Sequence, residues 1–252
     1  RARHAEAGID ACKADIERSR MINVLSAKQV IDDLVSLGIK PVFLSSEMVF
    51  DGSDVGLSNL DINAFSILDD GSILMSFTSS SSLIGSLGSV DDSDIVRFEP
   101  TSTGDNTAGT FTWYLDGSDV GLSSNGEDID ALERLSDGTL LISTTGRISV
   151  TGASGSDEDL TAFSPSQLGT TTAGSWTTLF DGSDVGLSDR GEDVDATAVG
   201  SDGRYYFSTV GNFEVSGASG ADEDVFAFDA ATTGSSTRAM PASRTQEEPD
   251  PI

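Results

Sequence analysis

The chain of 252 residues has one cysteine, Cys12, and one histidine, His4. A lone cysteine admits no disulfide within the chain, and the pair falls short of the four Cys/His ligands of a structural zinc site. No nucleophile and base set appears. His4 reads as a solvent-exposed residue near the terminus, and Cys12 as a small apolar filler. No apolar run approaches the length of about 18 residues that a membrane span requires. Arg1 opens the chain with neither a Met nor a basic-then-apolar leader, which reads as an internal cut and not as a secretory start. Basic residues are scarce, 14 Lys and Arg against 42 Asp and Glu, for a net charge of −28. A nucleic acid would be repelled by that charge and is excluded as a partner. Apolar residues make up 37% and glycine contributes 27 residues. Together they lie close to the roughly 45–50% of soluble globular chains, so a packed core can form.

The charge is unevenly distributed. Residues 1–50 hold seven basic and seven acidic groups, so the whole excess falls in 51–252, where 35 acids face seven arginines and no lysine. Such a shift marks a boundary near residue 50.

Beyond that boundary the chain repeats itself. Asp-Gly-Ser-Asp-Val-Gly-Leu occurs at 51–57, 116–122 and 181–187, always 65 residues apart. Four short runs follow each copy in register. The first contains Leu60–Phe65, Asp128–Leu132 or Asp193–Thr197, and the second Ile73–Phe77, Leu140–Thr144 or Tyr205–Thr209. The third contains Asp94–Phe98, Asp159–Phe163 or Asp224–Phe228, and the fourth Thr110–Leu115 or Ser175–Phe180. These runs are rich in β-branched and aromatic residues and bounded by Gly, Asp, Ser and Asn, which predicts strands joined by turns. Asp-Gly at 70–71, 137–138 and 202–203 falls between two such strands, where glycine supplies the positive φ of a tight hairpin. Four antiparallel strands at a fixed period describe a propeller blade, with a β-sandwich or solenoid array as the alternative.

The expected fold is therefore mainly β, a propeller-like array of four-stranded repeats, incomplete, preceded by a short α/β, Rossmann-like fragment. The expected segments are 1–50 for the fragment, 51–115, 116–180 and a truncated 181–229 for the repeats, and 230–252 for a disordered tail. The fourth strand of the last repeat is expected to be missing or very weak. Three units are too few for a closed propeller, so the chain is a fragment, an open arc, or an array completed by self-association. The repeats resemble the long acidic repeat regions of predicted exported bacterial proteins, in which DGSDVGL, EDIDA and DEDLxAF blocks recur. That resemblance implies an extracellular or surface role, binding or structural, toward an unknown protein or glycan, and no chemistry.

In the first fifty residues, Ser26 and Gln29 have capping-box spacing, Val30, Ile31, Leu34 and Leu37 follow at helical intervals, and Gly38 stops the run. A helix of about 11 residues is expected, then a strand at 41–45. Asn23-Val24, the helix and Ser45-Ser-Glu-Met-Val-Phe-Asp-Gly52 resemble segments of the dTDP-4-dehydrorhamnose reductase branch of the extended short-chain dehydrogenase/reductases, cytoplasmic enzymes. The resemblance covers about 20–52 and implies NAD(P) as cofactor and Ser46 at the catalytic Ser/Thr. Met48 stands where that family has Tyr. The glycine-rich cofactor turn and the catalytic Tyr-x-x-x-Lys are absent, so the alternative function is a truncated reductase. Phe50-Asp-Gly-Ser53 matches Phe180-Asp-Gly-Ser183, which makes the join read as a chimera, natural or arising in sequence assembly.

Carboxylates recur at Asp116, Asp119, Glu127, Asp128 and Asp130, and again at Asp181, Asp184, Glu192, Asp193 and Asp195. Calcium takes six to eight oxygens, which acidic turns can supply. Gly and Glu occupy the sixth and twelfth places counted from Asp116 and from Asp181, but Ser and Val at the third and fifth exclude an EF-hand. The competing reading is that these residues cap turns and keep strand edges soluble. Trp113 and Trp176 read as core in preference to sugar-stacking platforms.

Overall fold

The computed structural model describes residues 52–57, 60–81, 84–103 and 106–240. The expected helix, the strand at 41–45 and Ser46 lie outside them, as does everything from 241 on.

The chain is mainly β. In the first repeat β1 (Ile62–Ile67), β2 (Ile73–Phe77), β3 (Ile95–Ser102) and β4 (Ala108–Leu115) pair antiparallel in chain order. The second repeat contains β5 (Ile129–Arg134), β6 (Leu140–Thr144), β7 (Ile148–Val150), β8 (Ala153–Gly155), β9 (Leu160–Gln167) and β10 (Ala173–Phe180). Its sheet is β5, β6, β9 and β10, and β7 with β8 forms a separate small hairpin. The third repeat follows with β11 (Val194–Val199), β12 (Tyr205–Thr209), the hairpin β13 (Phe213–Val215) and β14 (Ala218–Gly220), and β15 (Phe226–Phe228). β16 (Ala230–Thr232) and β17 (Arg238–Ala239) complete it. Among the described residues there is no α-helix, and no sheet closes on itself.

The four expected runs per unit are the four strands of the first two meanders, whereas the third sheet has three, β11, β12 and β15. Residues 230–240, however, expected as part of the tail, hold two short strands. β16 continues the line of β15 and pairs with β17, so a short fourth strand is present. It is held because the Asp181 N–H donates to Thr237 Oγ1, tying this hairpin turn to the start of its own repeat. The hairpins β7–β8 and β13–β14 were not expected. Their signal is a second repeated block, Val150-Thr-Gly-Ala-Ser-Gly155 and Val215-Ser-Gly-Ala-Ser-Gly220, whose first glycines have φ of 104° and 97°.

The Asp-Gly turns form as expected. Gly71, Gly138 and Gly203 have φ of 82°, 92° and 82°. The aspartate before each accepts the N–H of the residue two places on, Ser72, Thr139 or Arg204, which is an Asx turn reinforcing the hairpin.

The repeats stack through their sheet faces. β1 packs on β5 and β5 on β11, so the first strands form a file and each meander runs outward from it. All five residues of β6 are buried, whereas half of β10 is exposed. One core cluster joins Leu74, Ile95 and Leu115 of the first repeat to Ile129, Leu140 and Phe163 of the second. Another joins Leu141, Leu160 and Phe180 of the second to Val194, Phe207 and Phe228 of the third. A strand buried on both faces needs no polar alternation, which is why Leu140-Leu-Ile142 is a continuous apolar run. Each such side chain contributes about 1.5–3 kcal/mol when fully buried.

Candidate functional site at the repeat junctions

The DGSDVGL block makes a short 3-10 turn that ends on a left-handed glycine, Gly121 at φ 97° and Gly186 at φ 113°. The N–H of Leu122 and Leu187 returns to the carbonyl of Gly117 and Gly182, and both leucines are fully buried. Within the turn, Asp116 and Asp181 accept from the hydroxyls of Ser118 and Ser183. Asp119 accepts the N–H of Thr172, on the β9–β10 turn of the same repeat. Asp184 lies at the corresponding place in the third repeat, in the turn Ser183–Val185.

The first glycine of the block carries the contact to the preceding repeat. Asp94 accepts the Gly117 N–H at 2.8 Å, and Asp159 accepts the Gly182 N–H at 2.8 Å. The other oxygen of each takes an N–H of its own loop, from Asp91 and Ser156. Burial pushes Asp94 up to about 6 even against these two N–H groups, and moves Asp159 in the same direction. The approach is backbone against backbone: a Cβ on Gly117 or Gly182 would overlap the carbonyl oxygen of Ser93 or Glu158.

Glu127 and Glu192 hold the small hairpins. One oxygen of Glu127 accepts the N–H groups of Ser123 and Ser124, and the other that of Ser149 in β7. Glu192 repeats this with Ser188, Asp189 and Glu214 of β13. Burial opposes charge on both, but the three N–H groups outweigh it and hold each carboxyl below the usual glutamate range. In the first repeat the register places Leu60 here, and the hairpin is reduced among its described residues to one antiparallel bridge, between Ser81 and Val90. Glu127→Gln is therefore expected to cost about 1–3 kcal/mol, because its amide group would face N–H donors. Amide exchange at Ser149 should accelerate more than exchange in β1 to β4.

The remaining carboxylates meet across the junctions. The Ile129 N–H donates to the Asp92 carbonyl and the Val194 N–H to the Asp157 carbonyl, which brings Asp92 beside Asp128 and Asp157 beside Asp193. Burial, with the charge of Asp128 second, pushes Asp92 up to about 6. Burial, with hydrogen bonding to Asp157 second, pushes Glu158 up to about 7.

The junction of the second and third repeats adds Asp130. Each first strand has a register irregularity at one place, between Ile62 and Ala64, Ile129 and Ala131, and Val194 and Ala196. The bulged residues are thus Asn63, Asp130 and Asp195, and a bulge re-aims a side chain. Asn63 Nδ2 donates to the Ile129 carbonyl of the next repeat. Asp130 is 4% exposed, and neither of its oxygens has a hydrogen-bond partner, nor has Asp193 Oδ1 or Thr197 Oγ1. Burial first, and the charges of Asp193 and Asp195 after it, push Asp130 up to about 9. Asp193 rises to about 7, with burial first and Asp157 next. Two ionised carboxylates offer no donor to each other, but a proton on Asp130 creates one toward Asp193. Asp195 accepts from the Ser208 hydroxyl at 2.6 Å.

The structure therefore brings Asp128, Asp130 and Asp193 to the junctions, while Asp116, Asp119, Glu127, Asp181 and Glu192 bond within their own repeats. Among the described residues no three Asp, Glu, His or Cys side chains converge to hold a metal ion. Trp176 is buried and its Nε1–H donates to the Val120 carbonyl, a core role; Trp113 donates likewise to Leu87. An open groove of about 400 Å³ lies beside Asp54 and Phe111, but Asp54 already accepts the Thr107 N–H. No helix of the described residues is long and apolar enough to cross a membrane. Comparison with family models, curated proteins and solved structures gives no match.

Proposed function

We propose that the chain is a non-catalytic acidic repeat module with a surface, binding or structural role, its repeats set side by side as blades of a propeller-like array. The commitment of the recurring carboxylates to backbone N–H groups within and between repeats carries this reading. Asp94, Asp159, Glu127 and Glu192 each satisfy two or three main-chain donors, which is scaffold chemistry. The file of first strands β1, β5 and β11, with the meanders radiating from it, supports the blade-like arrangement.

Titration of the full chain with NADPH, followed by nucleotide fluorescence, tests the reading. No saturable change is expected, whereas saturable binding would overturn it in favour of a reductase. Calcium dependence is a separate matter. Because no ligand set converges among the described residues, EDTA should leave the thermal transition where calcium leaves it. A lower transition in EDTA would show that calcium stabilises the array.

A further inference from the structure

The two ends of the array expose residues whose counterparts are buried at the internal junctions. On the side facing the next repeat, Ile95 and Leu160 are both 0% exposed, but Val225, at the same place in the third repeat, is 63% exposed. Ala64 and Ala131 are buried there and Ala196 is exposed. The Asp94 and Asp159 carboxylates each grip the first DGSDVGL glycine of the next repeat, while Asp224, their counterpart, is exposed and accepts the Ala221 N–H of its own loop. On the opposite side, Ile62 and Phe65 of the first repeat are 39% and 40% exposed, whereas their equivalents Ile129 and Leu132 are 0% and 3%.

The geometry points to a head-to-tail contact in which the Asp224–Val225 face of one copy receives the Ile62–Phe65 face of a second copy of this chain. Val225 then fills the place that Ile95 and Leu160 fill internally, and Asp224 grips Gly52, the first glycine of the incoming block. The occupant is a second copy because the site is the continuation of an interface built twice within the chain, and its partner surface stands on the first repeat. Residues 246–252, at the place of a fourth DGSDVGL, read Gln-Glu-Glu-Pro-Asp-Pro-Ile and carry no such block. The acidity of both copies opposes the approach, and salt that shortens the screening length to about 8 Å favours it. Such a contact is heterologous, so it yields rings or open chains. The inference rests on the stacked-repeat part of the proposed function and not on the absence of catalysis.

Sedimentation velocity of the full chain over a concentration series at physiological salt tests it. The wild type is expected to self-associate. Val225→Asp and Phe65→Asp alter opposite ends, and each should weaken self-association by at least about 100-fold, since each would bury an unpaired carboxylate. Mixed together they should form a one-to-one complex, because each retains the end that the other lacks. Circular dichroism of both variants should match the wild type, as both sites are solvent-facing in one chain. A wild type that stays monomeric throughout overturns the proposal. So do variants that still associate alone, or a mixture that stays monomeric, which would mean a like-with-like contact. NADPH binding is read separately and does not affect these outcomes.

Discussion

Asp130→Asn should stabilise the protein at about pH 8 by at least about 1–3 kcal/mol, because the neutral amide removes the proton uptake that folding otherwise requires. It should also flatten the dependence of stability on pH. Asp130 is buried with both oxygens unpartnered and faces Asp193 and Asp195, and it titrates at about 9 in the folded chain. In the unfolded chain it titrates near its ordinary value of about 3.9. Below about pH 4 both states hold the proton. Between about pH 4 and 9 only the folded state does, so folding takes up a proton and stability falls as pH rises through that window. Asp193, Asp92 and Asp94 are also raised and act in the same sense up to about 7, 6 and 6. Solvent screens Asp193 and Asp92 more than Asp130.

Glu127 and Glu192 are depressed and act oppositely: their contribution is present above the ordinary glutamate value and is lost as pH falls below it. The most stable pH should therefore be mildly acidic, about 4 to 6. The chain contains its own precedent for the substitution. At the first junction the bulge residue is Asn63, which donates to the facing backbone carbonyl without carrying charge. Thermal melts of wild type and variant from about pH 4 to 9 measure the effect, each kcal/mol shifting the midpoint by about 2–4 °C for a chain of this size. A variant less stable than wild type at about pH 8, with an equally steep pH profile, would show that Asp130 is not held neutral at the junction.

Gly182→Ala should destabilise by about 2–6 kcal/mol, combining about 1–3 for overpacking and about 1–3 for a lost charge-assisted hydrogen bond. The backbone itself offers no reason for the effect, since Gly182 has φ −66° and ψ −33°, which alanine adopts freely. The effect comes from the neighbour: an added Cβ would overlap the Glu158 carbonyl oxygen, and moving away would pull the Gly182 N–H off Asp159. In a stacked array a junction defect acts on the repeats beside it. Hydrogen exchange should therefore speed up at the Val194 N–H, which bonds to Asp157 across that junction, before it does in β1 to β3. Gly203→Ala is the contrast. Its φ is 82° with nothing near the added Cβ, so only left-handed strain of about 1–2 kcal/mol applies. Equal effects of the two substitutions in urea would mean that steric contact at the junction is unimportant.

Much of the fold is legible along the chain because it is local. The 65-residue period, the four runs and the Asp-Gly turns require contacts over a few residues, and each strand run matches a strand. The small hairpins were legible too, in Val-Thr-Gly-Ala-Ser-Gly and Val-Ser-Gly-Ala-Ser-Gly. The roles of the carboxylates were not. Glu127, at the twelfth place counted from Asp116, has a calcium-loop interval, yet its partners are three N–H groups, one of them 22 residues away in β7.

The sequence by itself determined a mainly β chain of repeating units, with the excess negative charge beyond residue 50, because period, turn chemistry and composition are properties of neighbouring residues. The tertiary structure decided which carboxylates cap backbone and which meet at the junctions. Asp130 and Asp193 lie 63 residues apart, in different repeats, and only the packing of β5 against β11 makes one of them the environment of the other.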